Sequence, residues 1–194
     1  MTSPSPKVVI LAGPNGAGKS TAASKLLLGP LKVSEFVNAD TIAQGLSAFA
    51  PDKVAFEAGR IMLTRIKELA KQRVNFAFET TLATRSYVPW LKELQTTGYE
   101  VHVVFLWLPS VEMAIARVAD RVRAGGHNIW EPTIHRRYAG GLLNLKHLYL
   151  PLANSWKVMD NTSIGSRRLI AAGLANGPIQ IYQEQVWNSI LQKE

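Results

Sequence analysis

Hydrophobic positions along this chain recur with two spacings that alternate. Lys7-Val-Val-Ile-Leu-Ala12 is a short apolar run and predicts a buried strand. Val33 to Val37 is a second such run, ending in Asn38-Ala39-Asp40. Between Asp52 and Arg73 the residues Ala58, Met62, Ile66 and Leu69 fall at steps of four, four and three, which predicts one buried helix face. Val74 to Glu79 alternates as a strand does, and Ser86 to Thr97 reads as a helix stopping at Gly98. Val101 to Leu108 is apolar at nearly every position, as a central parallel strand is. Ser110 then caps a helix whose predicted buried face is Val111, Ile115, Val118 and Val122.

Gly125-Gly126 breaks that helix and Pro132 opens the next, which is expected to reach about Leu148 with Gly140-Gly141 as a weak point. Trp156 to Asp160 and Arg168 to Ala172 read as two more strands, and Tyr182 to Leu191 as a closing helix. Strands alternating with helices predict an α/β fold, a three-layer α/β/α sandwich around a mostly parallel sheet. Residues 1–194 read as one domain, with 1–6 a flexible lead-in and about 117–148 a helical lid.

The most specific chemistry follows the first strand. GPNGAGKST, Gly13 to Thr21, fits the phosphate-loop pattern G-x-x-x-x-G-K-[ST]. Glycines let the backbone turn tightly and approach phosphate oxygens, and successive N–H groups form an anion nest at a helix N-terminus. The nucleotide-binding candidates are therefore Gly13, Pro14, Asn15, Gly16, Ala17, Gly18, Lys19, Ser20 and Thr21. Lys19 supplies a full charge at the β/γ-phosphates, and the Ser20 hydroxyl is a ligand for Mg2+. The loop implies ATP with magnesium as cofactor and leaves the fate of the γ-phosphate open.

Ligands of open parallel sheets sit beyond the carboxyl ends of the strands, which singles out polar residues there. Asp40 follows the second strand. It reads as the carboxylate that takes an acceptor hydroxyl's proton, or equally as the N-cap of the next helix. Glu79-Thr80-Thr81 ends the third strand, where Glu79 reads either as a metal-side or acceptor-side carboxylate or as a plain polar strand end. Asp160 and Asn161 end a later strand, where they read as contacts to the nucleotide base or, more simply, as a turn.

The formal net charge of +8, from 22 basic and 14 acidic residues, suits either nucleic acid or a pocket for several phosphates. The densest basic stretch holds Arg117, Arg121, Arg123, Arg136 and Arg137, without the interleaved aromatics of a base-stacking platform. It favours the phosphate pocket, closed by an arginine-bearing helical lid around Gly125-Gly126-His127, over a solvated basic face. Arg60 aligns with Thr64, Lys67 and Lys71, a solvent-face pattern. No cysteine is present, which removes disulfides and thiolate metal sites. No apolar run approaches the roughly 20 residues of a membrane span, and a cytoplasmic location is the default expectation.

Four segments together resemble a known family: GPNGAGKST, Asn38-Ala39-Asp40, FETTLATRS at Phe78–Ser86, and RVADRVRAGGHNIWEPTIHRRY at Arg117–Tyr138. The chain resembles the zeta-toxin-like P-loop kinases, in particular their short branch of predicted ATPases. The resemblance implies phosphorylation of a sugar hydroxyl, UDP-N-acetylglucosamine being the acceptor of the characterised toxins. It implies Asp40 as base, with Lys19 and the lid arginines Arg123 and Arg136 at the ATP phosphates and Arg121 beside them. It places Arg60, Glu79, Thr80, Thr81 and Arg85 on the acceptor side. In the toxins Gly-Thr follows the glutamate, where this chain has Thr80-Thr81. An antitoxin protein is the partner the family suggests. The alternatives are an ATP-binding regulatory module with no small-molecule acceptor, and a polynucleotide or RNA kinase.

Overall fold

A computed structural model describes residues 5–126, 128–163, 166–175 and 177–192. Among the described residues seven strands form one sheet in the order β2-β3-β1-β4-β5-β6-β7. The first five run parallel: β1 Lys7–Ala12, β2 Glu35–Val37, β3 Phe76–Thr80, β4 Glu100–Trp107 and β5 Ser155–Ser163. β6 Ser166–Leu174 and β7 Gln180–Ile181 add antiparallel strands at one edge. Between them run the helices α1 Lys19–Leu27, α2 Ala39–Leu46, α3 Ala55–Lys71, α4 Tyr87–Thr96, α5 Val111–Arg123, α6 Glu131–Asn144, α7 Leu150–Leu152 and α8 Glu184–Gln192. This is a P-loop NTPase-like α/β fold. Among the described residues no helix is long and apolar enough to cross a membrane.

The core follows the sequence pattern where burial is two-sided. Val8 to Ala12 and Val103 to Trp107 are buried without a break, so helices cover both faces of β1 and β4. The α3 face of Ala58, Met62, Ile66 and Leu69 is buried as its spacing predicts. Phe76 and Phe78 of β3 are fully enclosed, each contributing about 1.5–3 kcal/mol by burial. Their rings meet Tyr87 and Trp90 of α4, with Phe78 and Tyr87 centroids 5.0 Å apart.

Several elements differ from the pattern. In α5 the buried residues are Ala114 and Val118, while Val111 and Ile115 are half-buried and Val122 is 37% exposed. The small Ala114 lies under the phosphate loop, where its carbonyl oxygen faces Gly16, and a periodicity count that weights large apolar residues misses it. Gly140-Gly141 is no weak point either. A side chain at Gly141 would collide with the Thr81 carbonyl oxygen, so this glycine permits close packing of α6 on the loop after β3. The helix continues past Asn144 through a π-turn, Leu145–Tyr149, into α7. The sixth strand is present but antiparallel, and β7 precedes a closing helix that starts at Glu184 rather than Tyr182. Of the predicted lead-in, residues 1–4 lie outside the described residues, and the Pro6 carbonyl accepts from the Glu100 amide at 2.9 Å.

Candidate active site

Strand register assembles the site. Leu11 lies opposite Glu79 and Ala12 opposite Thr80, so the loop after β1 and the end of β3 emerge at one edge of the sheet. The loop turns at once at Gly13, where φ is 142° and a Cβ would strike the Leu106 carbonyl oxygen of the neighbouring strand. Only glycine meets both demands. The loop then enters α1 at Lys19, whose backbone begins the helix while its side chain folds back. Lys19 Nζ donates to the Gly13 and Pro14 carbonyls at 2.9 and 3.0 Å and lies 3.6 Å from Glu79 Oε1. Burial pulls the Lys19 ammonium down from its ordinary value, with Arg121 adding to this and the carboxylates of Glu79 and Asp40 opposing it.

Asn38 organises the acidic side. Its Oδ1 accepts from the Asp40 and Thr41 amides at 2.7 and 3.4 Å, which makes it the N-cap of α2. Asp40 is therefore not the cap, a correction to one of its two sequence readings. It sits in the first turn with its side chain exposed. Asn38 Nδ2 donates to Glu79 Oε2 at 2.8 Å, and Ser20 Oγ donates to the same oxygen at 2.9 Å. A hydroxyl and a carboxylate in contact beside the phosphate loop are the hard oxygen ligands Mg2+ takes, and Mg2+ needs few of them because phosphates and water complete its shell. Ser20 and Glu79 fit that ion.

Two chambers open on either side of Lys19. One, of about 440 Å3, is lined along the loop by Gly16, Gly18, Ser20, Thr21 and Lys25, and farther out by Arg117, Asp120, Arg121, Asn161 and Arg167. The other, of about 390 Å3, is lined by Asn38, Gly59, Met62, Thr80, Thr81, Ala83, Thr84, Tyr87, Arg136 and Arg137. Asn15, Lys19, Asp40 and Glu79 border both. Arg117 is a brace as well as a wall, donating to the Asn161 and Thr162 carbonyls at 2.9 and 2.6 Å. Asn161 Nδ2 donates in turn to the Ala17 carbonyl of the loop at 2.6 Å.

The second chamber owes its shape to α6 and the π-turn that follows it. Tyr138 Oη donates to the Leu108 carbonyl at 2.8 Å, Asn144 Nδ2 to the Leu82 carbonyl at 2.7 Å, and Tyr149 Oη to the Thr84 carbonyl at 2.8 Å. The last two bonds hold the loop after β3, in which Leu82 adopts a left-handed φ of 59°, and so fix Thr81 and Thr84. Burial raises the Tyr138 hydroxyl to about 12, so it remains a donor at neutral pH. The half-buried Arg137 guanidinium is lowered from its ordinary value by burial, and Asp40 is the opposing carboxylate.

The structure does not bring every expected residue to this place. Arg123 pairs with Asp120 on the surface, its side chain 79% exposed, and lines neither chamber. Arg85 is exposed and also lines neither. Arg60 lines a separate cleft of about 870 Å3 beside the edge strand β2, with Thr41, Ile42, Phe56 and Ile61. This cleft is the largest of the three, but it lacks Lys19, Asp40 and Glu79. Asp160 and Asn161 do not end their strand, which runs on to Ser163; Asp160 lies opposite Arg168 in the strand register and its Oδ1 accepts from the Thr162 amide at 2.8 Å, while Asn161 reaches the chamber. His127 lies outside the described residues. Sequence reasoning counted Arg137 among the arginines of the lid without giving it a place of its own, and it left Arg167, Tyr87 and Gly59 out of the site.

The model of one protein family, described as AAA domain, matches residues 8–135, from β1 into α6. The chain belongs to this AAA domain family. A protein of Haemophilus influenzae, itself uncharacterised, is 31% identical over 132 residues, covering 68% of this chain and 92% of its own length. Among solved structures, AvrRxo1-ORF1:-ORF2 with ATP superimposes with a TM-score of 0.79 at 16% identity, covering 98% of this chain. This chain spans 64% of that one, just under two thirds. A structure from the PezAT toxin–antitoxin system of Streptococcus pneumoniae gives a TM-score of 0.63 at 16% identity, over 100% of this chain and 90% of that one. At these identities the likeness to both structures is one of fold.

Proposed function

We propose that this protein is an ATP-dependent phosphotransferase of the zeta-toxin type, moving the γ-phosphoryl group to a hydroxyl of a small molecule, a nucleotide sugar being the acceptor class. One observation carries the reading. Two chambers share a wall made of Asn15, Lys19, Asp40 and Glu79, as donor and acceptor must on either side of a transferring group. An ATP-binding module that uses no acceptor has no need of the second chamber.

In this reading the triphosphate lies along Gly13 to Thr21, with Arg117, Arg121 and Arg167 on its outer side. Lys19 turns from the loop carbonyls to the β/γ-oxygens, and Ser20 and Glu79 would hold Mg2+, which would supply positive charge against the phosphates. The acceptor hydroxyl enters from the side of Thr80, Thr81 and Tyr87. Its oxygen forms the new bond to the γ-phosphorus as the bond to the β–γ bridging oxygen breaks and ADP leaves. The hydroxyl proton passes to the Asp40 carboxylate, which is exposed to the chamber and free of the capping role. Arg136 and Arg137 place positive charge where the moving group becomes most negative. The PezAT pair suggests an antitoxin as protein partner.

The test is γ-labelled ATP with a metabolite extract. A labelled small molecule is expected, and Asp40→Asn is expected to reduce transfer by about 10²-fold or more while leaving ATP affinity within about threefold. Steady hydrolysis that no metabolite alters would overturn the proposal.

A further inference from the structure

Gly59 is the fifth residue of the seventeen-residue helix α3, a place where glycine lowers helix stability relative to alanine. Glycine inside a helix ordinarily has one of two explanations, and neither applies. Its φ is not positive. Nor is a neighbour packed against it, since a Cβ at Gly59 would meet no heavy atom within 4 Å. Gly45 in α2 is equally open, but it is exposed in the last turn and lines none of the three cavities, so a side chain there would enter solvent. At Gly59 the open space is the acceptor chamber.

We propose that Gly59 is the specificity-determining residue of that chamber, its missing side chain being the room occupied by the body of the acceptor; this rests on the phosphotransferase reading above. Met62, one turn on, lines the same chamber, so bare helix backbone and a thioether side chain form an adjoining apolar floor. Such a floor suits the flat C–H face of a ring. The hydroxyl-rich wall of Thr80, Thr81 and Thr84 and the two arginines lie elsewhere in the same lining and serve polar substituents. The neighbouring Arg60 faces the separate cleft at β2, so adjacent residues of α3 serve different cavities.

The experiment compares wild type, Gly59→Ala and Gly59→Leu in three readouts: melting temperature, ATP affinity, and the pattern of metabolites labelled from γ-labelled ATP in one extract. Gly59→Ala is expected to melt above wild type, because it gains helix propensity without a clash. Both variants are expected to keep ATP affinity within about twofold, and Gly59→Leu to lose at least about tenfold in labelling of the wild-type product through a higher KM. Any remaining label should move to smaller acceptors. A Gly59→Ala protein that melts below wild type shows that the glycine serves the fold and overturns the inference, as does unchanged labelling by Gly59→Leu with wild-type KM. A wild-type protein that labels nothing overturns the phosphotransferase reading and takes this inference with it.

Discussion

Asn38 donates from Nδ2 to Glu79 Oε2 at 2.8 Å and, with its Oδ1, caps the helix that carries Asp40. One side chain thus ties the two carboxylates of the candidate site to each other. Asn38→Ala should destabilise the protein by about 1 kcal/mol through the lost cap, and transfer should fall further than that because Glu79 loses a donor. Asn38→Asp keeps a good cap but sets a second carboxylate against Glu79. It should therefore lose stability through that repulsion rather than through the cap, and transfer should fall by at least about tenfold. Urea unfolding follows the stability and a transfer assay the activity, and wild-type transfer by both variants would disprove the coupling.

The arginines of α5 and α6 divide by burial rather than by spacing. Arg137 is half-buried in the second chamber near Asp40, whereas Arg123 is exposed and paired with Asp120. Arg137→Ala is expected to cut transfer by about 10²-fold, and Arg123→Ala by less than about threefold, as an exposed ion pair contributes little. Single-turnover rates at saturating ATP decide between them.

Gly13→Ala adds one methyl group where φ is 142° and the Leu106 carbonyl oxygen blocks the space. The cost should be about 2–4 kcal/mol, from strain and from displacement of β4. ATP affinity should fall with it, since the loop amides lose their convergence. Calorimetric melting and nucleotide titration report the two effects.

His102 lies at the end of the sheet remote from the phosphate loop, its Nδ1 2.6 Å from Ser155 Oγ and its Nε2 3.2 Å from Glu100 Oε2. Burial lowers its pKa from the ordinary value, and the nearby Glu100 only partly offsets this. The fold therefore binds the proton less well than the unfolded chain does. The stability from His102 is complete above the unfolded value of about 6.5 and is lost as pH falls through the lower folded value. Between pH 7.5 and 5 the melting temperature should drop further in wild type than in His102→Gln, and parallel profiles would refute the assignment.

Legibility of the sequence depended on how far apart the cooperating residues lie. The phosphate loop was readable because the turn, the anion nest, Lys19 and Ser20 fall within nine consecutive residues, Gly13 to Thr21. The α3 core face was readable because one helix repeats it every turn. The polarity of β6 was not, since an apolar run carries no strand direction, and the α5 face was misjudged because its key buried residue is a small alanine. Asp40 and Glu79 were found as strand ends, but their shared partner Asn38 was not.

By itself the sequence determined the nucleotide half of the site and the alternation of strands and helices, because local backbone geometry and short-period burial are written in neighbouring residues. Only the tertiary structure decided what completes that half. Asn38 meets Glu79 across 41 positions, Arg137 rather than Arg123 turns inward, and Gly59 opens onto the second chamber. These relations depend on strand order and helix packing, in which distant segments meet at one sheet edge, and no local spacing encodes that meeting.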